Sequence, residues 1–336
     1  MLLAEESAYQ GSTHHETDRA LMLERLAGAE ERQSLSEGVA GASPRALRLR
    51  TDLPAGLTGA LTAAGHWPAV IAAATAVYHS RMLSVGDVVL GIPVAARRTP
   101  AALATPAMLA NDLPLRLTVG PDTTFAELVR AVRAELGTLL RAQRLRREEL
   151  HEARELTGTD AALFGTAVNA MSFDARVRFG DALLTPRQLS NGPVADLAMA
   201  TYGDPASGEV VLELAANPAL YTEDELRSHQ ERFLRLLGSL ADAPDAPVGR
   251  AALLDAETSE LLLHAPTVRR AMFRALWSTS SSGGPPRCPT PLLCAPTRPS
   301  PTRNSTPAPT GSPACSPIVA RAPSAWSGWR CRVPPV

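Results

Sequence analysis

Hydrophobic positions divide this chain into a patterned body and an unpatterned end. Residues 47–51 alternate apolar and polar, as a half-buried strand does. Pro54–Ala64 has the spacing of a short helix, and Trp67–Leu83 reads as a buried one. Asp87–Val94 is apolar and rich in β-branched residues, the pattern of a strand covered on both faces. Asp112–Val119 is a second strand. Thr124 and Glu127 sit three apart, a capping box in which hydroxyl and carboxylate satisfy the free N–H groups of a helix start. Behind it Phe125, Leu128, Val129, Val132, Leu136, Leu139 and Leu140 recur at helical spacing and predict one buried stripe. Gly165–Phe173 and Glu209–Ala215 alternate with period two, and Thr222/Glu225 opens a last amphipathic helix carrying Leu226, Phe233, Leu237 and Leu240 inward. Strands interleaved with long helices predict an α/β or α+β body, a mixed sheet with flanking helices. Residues 1–45 read as polar and irregular apart from a helical patch at Asp18–Leu26.

Composition sharpens the boundary near residue 265. The chain of 336 residues has 33 cations, all of them arginine. Residues 266–336 hold nine of these and no acidic residue, so all 34 Asp and Glu lie upstream. The same end holds 15 of the 29 prolines and all four cysteines, and it lacks the apolar content to order itself. Disorder is the expectation for 265–336. Its scattered arginines lack the clustering and aromatic interleaving of a nucleic-acid site. The missing lysine excludes P-loop, Schiff-base and kinase-type chemistries. The body has no cysteine, hence no disulfide framework or thiolate metal site. The longest apolar run, Trp67–Tyr78, is too short for a membrane helix, and the acidic start is unlike a signal peptide, so a cytoplasmic location is expected.

Candidate chemistry is sparse. His14, His15 and Asp18 form the densest cluster, able in principle to bind a metal or act as a base, but the polar stretch around them reads as a solvated linker. His79 and His229 fall on buried helix faces and read as core histidines. His66 and His151 have no partner in view. Arg97-Arg98 and Arg144 to Arg147 read as solvated faces or internal ion pairs.

Several segments carry a resemblance. Asp87-Val-Val-Leu-Gly-Ile-Pro-Val-Ala-Ala-Arg97, Pro106 to Arg116 with Asn111-Asp-Leu-Pro-Leu, Gln143 to Leu150, Phe164 to Asp174 with Asn169, Asn191-Gly-Pro-Val-Ala-Asp196-Leu197 and Asn217 to Tyr221 occur in one order over residues 47–263. In that order they resemble the second half of a nonribosomal peptide synthetase condensation domain. The resemblance implies one lobe of a chloramphenicol-acetyltransferase-like fold. It implies amide-bond formation between carrier-protein-bound thioesters in secondary-metabolite (antibiotic) biosynthesis. Phosphopantetheine would be carried by the partner carrier proteins, with no cofactor bound directly. Partners would be carrier domains, other synthetase modules and a missing N-terminal lobe, with no nucleic acid and no membrane.

That family's His-His-x-x-x-Asp-Gly motif does not occur here. In the His14-His15 stretch Asp18 comes one residue too early and Arg19 replaces the glycine. Asp18 to Leu26 resembles instead the helix between the lobes. The expectation is therefore a fragment with no catalytic residue and no metal site, inactive alone. Residues 1–45 would be an interlobe helix and linker remnant, and 46–264 the C-terminal lobe. Asn169 and Asp196 are the substrate-channel candidates by motif position. Their structural alternatives are strand-end hydrogen bonding for Asn169 and turn or helix capping for Asp196. Two other functions are a binding lobe that pairs in trans with a separate first lobe, and a freestanding acyltransferase using His79 or His151.

The acid-free end has one further reading. Shifted by one frame, Pro301 to Ser316 permits the string YAELDARANRLARLL, which resembles part of an adenylation domain. A frameshift near Ala265–Thr267 would account for the +9 charge of 266–336 beside the −10 of the body.

Overall fold

The computed structural model describes residues 2–29, 33–156, 162–172, 177–184, 192–204 and 207–264. The expectations for 265–336, for Asp174 and for Asn191 lie outside the described residues.

A six-stranded mixed sheet organises the body. Its strands are β1 (Leu47–Asp52), β2 (Asp87–Val94), β3 (Asn111–Thr118), β4 (Thr166–Ser172), β7 (Leu197–Asp204) and β8 (Glu209–Ala216), in the order β1-β8-β7-β4-β2-β3. Short strands β5 (Val177–Phe179) and β6 (Ala182–Leu184) form a separate hairpin. The β4–β7 and β2–β4 neighbours are parallel, and the other pairs are antiparallel. β2 lies inside the sheet, as its continuous apolar run requires. β3 forms an edge, where Pro114, paired opposite Gly91, costs no ladder bond.

Helices α3 (Ala55–Ala63), α4 (Trp67–Leu83), α6 (Phe125–Arg141) and α8 (Glu223–Asp242) belong to one core with Val88, Leu90, Val168, Met199, Leu212 and Leu214 of the sheet. α4 is buried along most of its length, from Ala69 to His79, which explains its Ala-rich composition: small side chains let it lie close to the strands. Both expected capping boxes are present, at Thr124/Glu127 and Thr222/Glu225. The hydrogen bonds from Thr124 and Thr222 hold the Glu127 and Glu225 carboxyls below their usual range. Leu140 departs from the expected buried stripe and is 43 % exposed, next to the last residue of α6 and in the wall of a cavity.

Three short helices, α5 (Pro100–Ala104), α7 (Arg147–Ala153) and α9 (Ala256–His264), complete the set with α1 (Leu2–Gln10) and α2 (Thr13–Leu26). α1 and the first turn of α2 correct the reading of residues 1–17 as irregular, and the helical patch expected at Asp18–Leu26 is the rest of α2. α2 starts at Ser12, whose hydroxyl accepts from His15 N–H, and buries Met22 and Leu26. Its C-terminal carbonyls are claimed by arginines from elsewhere: Arg116 bonds Arg25 O and Ala27 O, and Arg154 bonds Leu26 O and Ala29 O. Cations at a helix C-terminus are favoured by its dipole. Polar composition hid the start of this helix because polar partners, as well as apolar ones, dock it.

Candidate functional site

The histidine cluster of the N-terminal segment is part of a docking network. His15 Nε2 donates to Glu149 Oε2 of α7 at 2.6 Å, and Tyr9 Oη donates to the buried Asp18 at 2.8 Å. His14 is exposed, 3.4 Å from Asp18. Arg144 lies 4.1 Å over the Tyr9 ring and also reaches Glu5 O and Glu6. Burial and the bond to Asp18 push the Tyr9 phenol well above its ordinary range. The expected solvated linker is thus replaced by a helix bonded to α7. Among the described residues no group of three His, Cys, Asp or Glu could hold a metal ion.

The remaining candidates separate. His79 is completely buried, and neither ring nitrogen has a hydrogen-bond partner. Burial pushes it down to about 3. It faces no cleft, so it cannot serve as an acyltransferase base. His229 is bonded through Nδ1 to Tyr78 Oη at 2.7 Å, and burial depresses its proton affinity. His151, half-buried near the end of α7, is lowered by burial and by Arg147. Arg97 closes its own loop by donating to Ala102, Thr105 and Ala107 carbonyls. Arg146 bonds Leu109 O and Arg147 pairs with Asp112, so this arginine run is internal wiring.

Asn169 and Asp196 occupy different surroundings. Asp196 is buried and accepts from Tyr221 Oη at 2.6 Å, while its carbonyl accepts from Asn217 N–H. Asn217 in turn bonds Gly41 O and Ala195 O. This polar knot joins the start of β7 to the turn before α8. Asn169, half-buried in β4, lines a cavity of about 210 Å³ between the carboxyl end of β2 and the middle of its parallel neighbour β4. His66, the residue before α4, Pro68 in its first turn, and Leu136 and Leu140 near the end of α6 form its other walls. Carboxyl ends of parallel strands are the usual ligand position in open α/β sheets. His66 was not singled out beside Asn169 because 103 positions separate them. Pro93 inside a buried strand was the readable signal, since proline interrupts a central ladder.

Asn111, from the Asn-Asp-Leu-Pro-Leu segment, has a structural role. Its Nδ2 donates to Gln143 O and Leu145 O, and its Oδ1 accepts from Arg147 N–H, so it fastens the α6–α7 turn to the edge strand. Ala142, just before the segment from Gln143 to Leu150, is fully buried.

A family model described as the condensation domain matches residues 3–263. The chain belongs to the condensation-domain family. It is 36 % identical over 267 residues to the dimodular nonribosomal peptide synthase of Bacillus subtilis (strain 168), covering 78 % of this chain and 11 % of that protein. It is 30 % identical over 172 residues to enterobactin synthase component F of Escherichia coli (strain K12), covering 51 % of this chain and 13 % of that one. Among solved structures, a substituted starter condensation domain of rhizomide synthetase with C8-CoA and Leu-SNAC aligns with a TM-score of 0.70 at 35 % identity. That match covers 76 % of this chain and 58 % of the other. The first condensation domain of the calcium-dependent antibiotic synthetase aligns with a TM-score of 0.69 at 35 % identity, over 75 % of this chain and 56 % of that one. The chain therefore spans little more than half of these solved condensation-domain chains and about a tenth of the synthetases. The mixed α/β fold expected for the lobe is the one observed. Among the described residues, no single helix is long and apolar enough to cross a membrane.

Proposed function

We propose that this chain supplies the C-terminal lobe of a condensation domain and works with a first lobe that carries His-His-x-x-x-Asp-Gly. In the family reaction the amine of one carrier-bound aminoacyl group attacks the thioester carbonyl of another. The amide forms, the C–S bond breaks, and the free thiol of the donor's phosphopantetheine arm leaves. The observation that carries this reading is the family match over residues 3–263 in a sequence that lacks that motif. The nearest imitation, His14-His15, sits on α2 with His15 bonded to Glu149 and Asp18 bonded to Tyr9. Those side chains hold helices together. The chain's own part is then to wall the substrate channel, Asn169 included, and to present surface to carrier proteins.

The test is complementation. The chain alone, mixed with two loaded carrier proteins, should form no peptidyl thioester by mass spectrometry. Adding a separately expressed first lobe from a related synthetase should restore product. Product from the chain alone would overturn the division of labour, and no product with any first lobe would overturn the assignment to condensation.

A further inference from the structure

After α8 the chain returns as a strap, residues 248–255, that is fastened to α4 and α8 at three points. Arg81 Nη1, near the end of α4, donates to Val248 O at 3.1 Å and to Ala251 O at 3.0 Å. Ser239 Oγ of α8 accepts from Ala252 N–H at 3.0 Å. Arg235 of α8 reaches Leu253 O at 3.4 Å and Asp255 Oδ2 at 3.3 Å. The strap walls a cavity of about 430 Å³, which Arg81, Met82, Arg232, Leu253, Leu254 and Ser259 help to line. That volume falls within the roughly 300–1,000 Å³ of small-molecule sites, and the three fastenings hold the walls in place before any ligand arrives.

The lining mixes charge of one sign with apolar surface. It includes two guanidinium groups and no carboxylate. Arg232, half-buried on α8, has no hydrogen bond or ion pair with any of the described residues. Arg81 spends only Nη1 on the strap, so its Nε and Nη2 donors are unused among the described residues. The acid next to the lining, Asp255, is taken up by Arg235 and by Thr258 N–H. Met82, Leu253 and Leu254 are half-buried and supply the apolar wall.

Those features select the ligand. A neutral apolar molecule would dehydrate the guanidinium groups and give them no partner, and a cation would be repelled. A bare inorganic anion would leave the apolar wall wet. A planar guanidinium fork matches a carboxylate, and the pairing strengthens where apolar walls exclude water.

We infer that this cavity binds a small carboxylic acid with an apolar body, the carboxylate on Arg232 and Arg81 and the body against Met82, Leu253 and Leu254. Two sources share that chemistry, fatty acids and free peptide acids with apolar side chains. The site shares no lining residue with the Asn169 cavity and does not rest on the condensation reading.

The experiment titrates the full chain, labelled with ¹⁵N, with two acids and their neutral counterparts: octanoate and octanol, N-acetyl-leucyl-leucine and N-acetyl-leucyl-leucinamide. At least one acid should shift the Nε–Hε signals of Arg232 and Arg81, with its neutral counterpart binding at least about tenfold more weakly. The acid that binds more tightly names the source. Arg232→Gln removes a side chain that fastens nothing among the described residues, so the fold should stand while affinity for the acids falls at least about tenfold. Arg232→Lys should keep part of that affinity, because a point charge replaces the fork. Ala252→Trp, at an exposed position of the lining, should block entry. Arginine signals unmoved by both acids, neutral counterparts that bind as tightly, or full affinity in the Arg232→Gln protein would overturn the site.

Discussion

Arg116 of β3 grips Asp87 of β2 through a two-pronged contact, Nε lying 2.9 and 3.0 Å from the two carboxylate oxygens and Nη2 2.7 Å from one of them. The free Nη1 reaches past the sheet to Arg25 O and Ala27 O at the end of α2. One guanidinium thus ties two strands to the N-terminal helical segment. Both residues belong to segments that resemble family motifs, and the structure gives them a mechanical reason to be there. Removing the fork with Arg116→Ala should cost about 2 kcal/mol, the scale of lost charge-assisted bonds. Arg116→Lys should recover less than half, because one ammonium cannot span carboxylate and carbonyls together. Urea midpoints measure both, and full recovery by lysine would show that charge alone matters here.

Much of this architecture was legible in the sequence, and the exceptions have causes. Elements with strong period, β2, α6 and α8, lie where their apolar spacing placed them. β7 escaped notice because Leu-Ala-Met-Ala-Thr-Tyr-Gly-Asp has little β-branched content; it is a strand because β4 and β8 flank it. α1 and the first turn of α2 escaped, although the patch at Asp18–Leu26 was legible, because hydrogen bonds and ion pairs to residues more than 90 positions away dock them, and composition cannot see such pairs. Of the two site candidates, Asn169 lines the cavity between β2 and β4. Asp196 is taken up by Tyr221, a partner 25 residues on that no local pattern announces.

Gln33 acts as a one-residue strand. Its amide pairs with Asp87 O and Val89 N–H where β4 has not yet begun, and its own backbone packs against Gly165. A Cβ at position 165 would lie 2.1 Å from Gln33 O, so Gly165→Ala must push the two segments apart. That change should destabilise by about 3 kcal/mol, as overpacking against backbone does. Gln33→Glu removes the donor to Asp87 O and faces it with a carboxylate, at a cost of about 2 kcal/mol. Denaturant unfolding of each variant is the measurement. A Gly165→Ala protein as stable as the parent would show that the segment around Gln33 yields freely.

The His15–Glu149 contact predicts a local effect rather than a global one. His15→Leu removes the bond to α7 but leaves the buried Met22 and Leu26 untouched. Amides of α1 and α2 should exchange faster by about fivefold or more, for a loss of about 1 kcal/mol, whereas those of α4 should be unchanged. Equal acceleration in α4 would mean that the N-terminal helices and the core open as one unit.

His79 makes stability pH-dependent with a defined sign. Its folded value is pushed down to about 3 by burial, with the positive charge of nearby His229 adding to the effect. In the unfolded chain an imidazole titrates near 6.5. Above that pH neither state binds the proton, so His79 contributes no slope. Between about 6.5 and about 3 the unfolded state binds a proton that the folded state refuses, and stability falls as pH falls, by up to about 1.4 kcal/mol per pH unit. His229, lowered by burial and by Arg232, steepens the same limb, while Glu225 opposes it. His79→Leu removes two unpartnered ring nitrogens from the core, so it should raise stability at pH 7.5 by about 1–2 kcal/mol and flatten the acid limb. Urea unfolding of parent and variant at pH 7.5, 6.5, 5.5 and 4.5 separates the two effects. An acid limb of unchanged steepness in the variant would assign the pH sensitivity to His229 and the carboxylates instead.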